Sequence, residues 1–97
     1  MSASFLKVSH TLKNNSFSMV QSKEEQQEFL RQLGEYIVLL RKQQQLKQID
    51  LADLLDMDVR VLRRIEKGET NIQILLVFQL AKVLNVQPES FITLSKD

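Results

Sequence analysis

The chain has no cysteine, which excludes disulfides and thiolate metal sites and fits a reducing compartment. It has no apolar run near the roughly 20 residues that cross a bilayer. Its N-terminal stretch, "MSASFLKVSHTLKNNSFSM", lacks the continuous apolar segment of a secretory signal. A cytoplasmic protein without membrane contact is therefore expected. His10 is the one histidine and has no identifiable partner. With only 2 glycines there is no glycine-rich phosphate loop, and no Ser/His/Asp arrangement is present. The carboxylates of "DLADLLDMD", at 50, 53, 56 and 58, lack the central glycine and closing glutamate of a calcium loop. No enzyme, metal site, cofactor or small-molecule ligand is expected. The formal net charge is +1, so any electrostatic function must lie in how charges are distributed, not in their sum.

What is present describes one ordinary domain. Of the 97 residues, 43% are hydrophobic and 26% charged, a globular balance. Residues 1–21 are rich in Ser, Asn and Thr, and carry Lys7 and Lys13 but no acid. They read as an N-terminal arm: a loose solvated tail, with a polyanion-touching arm or a short strand ("SFLKV") as alternatives. Residues 22–97 read as the folded domain. Ser22 and Glu25 have capping-box spacing, and Phe29, Leu33, Ile37 and Leu40 recur at helical spacing, which predicts a first helix over 23–43. Gly34 weakens its middle by about 1 kcal/mol against alanine, enough to allow a bend or a restart there. A second helix is predicted over 48–55 with Leu51, Ala52 and Leu55 inward. Asp58 suits the N-cap of a third, over 59–66, and Gly68 suits a left-handed stop after it. "QILLVFQLAKVL" predicts a fourth over 74–84, burying Ile74, Val77, Phe78, Ala81 and Leu84. Pro88 opens a short fifth through Phe91. No segment alternates as a strand and no repeat is visible.

The third helix has two faces. Asp58, Val61, Leu62 and Ile65 share one stripe, which reads as the core side. Arg60, Arg63, Arg64 and Lys67 share the other, and no acid interrupts it. A cationic stripe is usually only a solvated face. The competing reading is a helix that presents guanidinium groups to DNA, where an arginine fork can bond O6 and N7 of guanine in the major groove.

The preceding residues favour the second reading. "LKQIDLADLLDMDVRVLRRIEKG", residues 46–68, resembles the helix-turn-helix of the Cro and phage-repressor (XRE-type) family without a gap. Leu46, Gln48, Leu51, Ala52, Leu55, Leu62, Arg64, Ile65, Glu66 and Gly68 fall on that pattern. The likeness runs upstream through "LGEYIVLLRK" and downstream through "NIQILLVFQLAKVLNVQPESF", covering about residues 33–91. The resemblance implies an all-α, five-helix lambda-repressor-like DNA-binding domain. It implies that Val59, Arg60 and Arg64 reach base edges. Lys47, Gln48, Arg63, Lys67 and Asn71 are expected to hold the DNA backbone. Arg41 and Glu66 match a partly buried salt bridge between the first and third helices, and Ala52 a close crossing of the second and third. The chain departs from the family at three positions. Lys47 stands where a capping Ser or Thr is common, Asp56 where glycine makes the turn, and Val59 where a polar residue is frequent.

Val38, Leu39, Leu75 and Leu76 are apolar where the family is often polar. A seam of Ile72, Leu75, Leu76 and Val83 is expected to join two copies in a homodimer. The expected function is sequence-specific transcriptional regulation, as a repressor acting on double-stranded DNA. The alternative is a protein-interaction module, such as an antitoxin or an assembly subunit, that uses the same fold.

Overall fold

The protein is described by a computed structural model covering residues 22–94; the arm expected over 1–21 and the last three residues lie outside the described residues. Four α-helices follow in order: α1 (Lys23–Gln43), α2 (Gln48–Leu54), α3 (Val59–Glu66) and α4 (Ile74–Leu84). A 3-10 turn, Pro88–Phe91, ends the series. Among the described residues there is no strand, and no helix long and apolar enough to cross a membrane.

Each helix boundary has a local cause. The Glu25 N–H donates to Ser22 Oγ at 3.1 Å, and the Ser22 N–H donates to Glu25 Oε1 at 3.0 Å. The capping box thus starts α1 where its spacing predicts. Arg41 and Lys42 lie in the last turn of α1, favourably placed against the helix dipole. Gln45, at φ 59°, reverses the chain. α4 stops at Asn85, which takes the left-handed conformation at φ 62°, a role asparagine fills more readily than most residues.

The core is shared by all four helices. Leu33, Ile37 and Leu40 of α1 meet Leu51 and Ala52 of α2, Leu62 and Ile65 of α3, and Val77, Leu80, Ala81 and Leu84 of α4. Phe91 plugs the end of this cluster and meets Tyr36 edge-on, with ring centroids 5.2 Å apart, a favoured aromatic geometry.

Four sequence expectations need correction. The fifth segment is a 3-10 turn rather than an α-helix, so the described residues form four α-helices. Its four residues close i→i+3 bonds, Ser90 N–H to Gln87 O and Ile92 N–H to Glu89 O, both at 3.0 Å. One short turn favours that tighter pattern. Ile74 and Phe78 are not buried: they are 59% and 53% exposed, and Leu80 takes the inward position. "ILLVFQL" is apolar on nearly every side, so its periodicity could not choose the buried stripe. Val61 is also exposed. Finally, α1 does not restart at Gly34 but runs unbroken for 21 residues. Gly34 is buried at a crossing, where a Cβ would lie 2.7 Å from the Ile65 carbonyl oxygen and closer still to that of Glu66. Glycine is there because two helix backbones touch.

Candidate nucleic-acid interface

α2, a tight turn and α3 form a helix-turn-helix. The turn is closed by backbone bonds: Asp56 N–H to Asp53 O at 3.1 Å and Met57 N–H to Ala52 O at 2.9 Å. Asp56 takes φ 55°, the left-handed conformation that glycine adopts at lower cost. Ala52 is 1% exposed, small enough for the two helices to cross closely. Asp58 caps α3 by accepting the Arg60 N–H at 2.8 Å. Lys47 offers no side-chain cap to α2, but the Asp50 carboxylate accepts its backbone N–H at 2.9 Å.

α3 is sharply two-sided. Leu62, Ile65 and Glu66 are buried, while Arg60, Arg63, Arg64 and Lys67 are exposed. The cause is local: positions three and four apart share a face, which puts Leu62, Ile65 and the ion-paired Glu66 on the core side and the four cations on the other. Gly68 then leaves the helix at φ 75°. A Cβ there would lie 2.7 Å from the Arg31 Cα, so α1 also passes close to the end of α3.

A hydrogen-bonded chain fixes how α3 is aimed. Arg41 grips Glu66 with two bonds, Nε to Oε2 at 2.8 Å and Nη2 to Oε1 at 3.1 Å. Its Nη1 donates to the Leu46 carbonyl at 3.0 Å. The side chains are 10% and 4% exposed. Gln48 Nε2 donates to the same Glu66 Oε1 at 2.7 Å, and Gln48 Oε1 accepts Arg63 Nε at 3.2 Å. A residue from each of α1, α2 and α3 therefore meets at one carboxylate, and the chain ends on an exposed arginine. Because both partners of the buried pair are satisfied, the arrangement specifies geometry more than it adds stability.

The remaining expected contact residues divide by what already holds them. Arg60 is engaged by Asp58, with Nη2 to Oδ2 at 2.9 Å. The Arg60 guanidinium, followed by its backbone N–H, holds the Asp58 carboxyl well below its ordinary 3.8, at about 2; the same contact raises the pKa of Arg60. Arg64, Lys67 and Lys47 are exposed. Val59 is half-buried and packs against the core edge. Asn71 is exposed on the loop after α3, and its Oδ1 accepts the Ile72 N–H at 2.8 Å. The structure gathers Arg60, Arg63, Arg64 and Lys67 on one face but does not gather the expected seam. Leu75 is 70% exposed, whereas Ile72, Leu76 and Val83 are half-buried against the protein's own core. Two links were missed from sequence. The Gln48–Glu66 bond had no signal, because it joins residues far apart in the chain. The Asp58–Arg60 pair had one, an acidic N-cap two residues before an arginine.

The helix-turn-helix family model (HTH_3) matches residues 37–91, more than half of the chain. A comparison with curated proteins gives no match. Among solved structures, the chain is similar to the restriction-modification controller protein C.AhdI from Aeromonas hydrophila, with 27% identity and a TM-score of 0.61, covering 64% of this chain and 94% of that one. The family match spans α2, the turn, α3 and α4, with the C-terminal end of α1, and the chain belongs to the XRE-type helix-turn-helix family of DNA-binding transcription regulators.

Proposed function

We propose that this protein is a sequence-specific repressor that lays α3 in the major groove of duplex DNA. The observation that carries the reading is the exposed stripe Arg60, Arg63, Arg64 and Lys67 on a helix whose other face is anchored by the buried Arg41–Glu66 pair. A cationic helix on a rigid mount can enter a groove, whereas one on a mobile loop loses its register. Arg60, Arg64 and Val59 are assigned to base edges. Lys47, Gln48, Arg63, Lys67 and Asn71 are assigned to the sugar-phosphate backbone, where contacts position rather than specify. The similar C.AhdI is a controller protein, which supports a regulatory role.

Binding should be salt-sensitive. Each phosphate neutralised releases counterions, so several cationic contacts should lower affinity by orders of magnitude between about 50 and 200 mM salt. Fluorescence anisotropy on a labelled duplex pool measures this. Salt-independent binding, or none at low salt, would favour the protein-interaction reading of the same fold.

Base reading and phosphate holding should separate by mutation. Arg64→Ala is expected to cost about 1–3 kcal/mol on the preferred site and to relax base choice at one position. Lys67→Ala should weaken all duplexes alike and flatten the salt slope. Equal losses on every sequence for both variants would remove Arg64 from the base-reading set.

One short helix reads few base pairs. Two recognition helices about 34–36 Å apart read two half-sites of an inverted repeat. A second copy of this chain is therefore the proposed partner, closing over Ile74, Leu75 and Phe78, which lie side by side on the outer face of α4 and are 59%, 70% and 53% exposed. Leu75→Asp should shift sedimentation from dimer to monomer and weaken binding to a two-half-site duplex far more than to a single half-site. A parent protein that sediments as a monomer would exclude the dimer. A Leu75→Asp dimer that binds like the parent would exclude this seam.

A further inference from the structure

Arg60 and Asp58 form a fixed unit at the start of α3. Arg60 Nη2 donates to Asp58 Oδ2 at 2.9 Å and Nε to Oδ1 at 3.3 Å. The same Oδ1 accepts the Arg60 backbone N–H at 2.8 Å. The carboxylate is thus tied to the helix by its capping bond, and the guanidinium is tied to the carboxylate. A guanidinium carries five N–H bonds in a rigid plane. Asp58 occupies the edge formed by Nε and Nη2. The edge formed by Nη1 and Nη2 is left, with one N–H from each pointing the same way. The Arg60 side chain is 80% exposed, so this edge is open to a ligand.

We infer that Asp58 is a positioning residue that selects the base read by Arg60, and that this base is guanine. The inference rests on α3 entering the major groove. Two parallel donors match the two acceptors, O6 and N7, that guanine presents there, whereas adenine presents a donor beside its acceptor. Without Asp58, Arg60 is a long, freely rotating cation that can reach a phosphate with any edge. With Asp58 it presents one edge, and the ordering that binding demands is already met. The carboxylate also discriminates by its charge. It repels phosphates on every sequence, and that repulsion is offset only where the open edge of Arg60 finds two acceptors.

Asp58→Ser tests this, because serine keeps an oxygen able to cap α3 and removes the carboxylate. Sites are first selected by the parent from a random duplex pool, and the position relaxed by Arg60→Ala is located. Kd is then measured on duplexes with guanine or adenine at that position, for the parent, Asp58→Ser, Arg60→Ala and the double variant, with Tm for each. The parent should prefer guanine by about tenfold or more. In Asp58→Ser that preference should largely vanish, with adenine-duplex binding unchanged or tighter and Tm within a few degrees of the parent. In the Arg60→Ala background, Asp58→Ser should change the preference no further. An undiminished preference in Asp58→Ser overturns the inference, as does an equal loss on both duplexes, which is what a cap alone would give. So does an Arg60-dependent position that is not guanine. If Asp58→Ser does not fold, Asp58→Asn, similar in size and also a good cap, is read by the same criteria. A parent that retains no duplex overturns the repressor reading and this inference together, whereas retained duplexes with no effect of Asp58 overturn only the inference.

Discussion

Glu66→Ala is expected to lower the melting temperature by more than about ten degrees and to abolish binding to a specific duplex. The cause is the charge left behind, not only the bond removed. Arg41 is 8% exposed and donates to Glu66 through two of its nitrogens. Truncating Glu66 leaves a buried guanidinium with the Leu46 carbonyl as its one remaining partner of those described above. Breaking one side of such a pair costs about 3–5 kcal/mol, and in a domain of this size each kcal/mol moves Tm by about 4–8 °C. Gln48 loses its acceptor in the same step, so Arg63 loses its mount. Replacing both partners separates the two causes: Arg41→Met with Glu66→Leu leaves no buried charge and should recover most of the stability. Thermal unfolding followed by circular dichroism is sufficient. An unchanged Tm in Glu66→Ala would mean that the pair holds nothing in solution. A double variant as unstable as the single one would mean that the bond, rather than the stranded charge, carries the effect.

Gly34→Ala should also destabilise the protein, although it improves helix propensity. On propensity alone alanine would stabilise α1 by about 1 kcal/mol. Against that, a Cβ at this position would lie 2.7 Å from the Ile65 carbonyl oxygen and the Glu66 carbonyl carbon. Overpacking against side chains costs about 1–3 kcal/mol, and here the obstacle is backbone, which cannot rotate aside. α1 and α3 must separate, which also pulls Arg41 from Glu66. The net expectation is a Tm lower by roughly ten degrees, with DNA affinity reduced beyond what the unfolded fraction explains. Thermal unfolding and anisotropy on the same preparation measure both. A Gly34→Ala protein as stable as the parent, binding equally well, would show that the helices do not meet this closely.

Much of the arrangement of the candidate site was legible in the sequence because its determinants are local. The capping box at Ser22, the Asp58 cap and the left-handed Gly68 lie within a few residues of the groups they satisfy. The cationic face of α3 follows from spacing alone, since its opposite face is apolar. The Arg41–Glu66 match came from family resemblance, not from periodicity; nothing in the spacing of residues 25 apart specifies a contact.

What the tertiary structure decided is of another kind. α4 is apolar nearly all round, so only the position of its neighbours turns Val77, Leu80, Ala81 and Leu84 inward and leaves Ile74, Leu75 and Phe78 to solvent. Gly34 reads as a weak point in a helix until the carbonyls of α3 are placed against it. Arg60 is mounted on Asp58, two residues away, but Arg63 is mounted on Gln48, fifteen residues away on another helix. The sequence by itself determined which residues form helices and which side of α3 is charged, because a side chain and a hydrogen bond three or four residues away are enough to set them. Which apolar face is covered, where two backbones touch and which side chain mounts Arg63 depend on atoms brought together from distant parts of the chain, and only the packed structure fixes those.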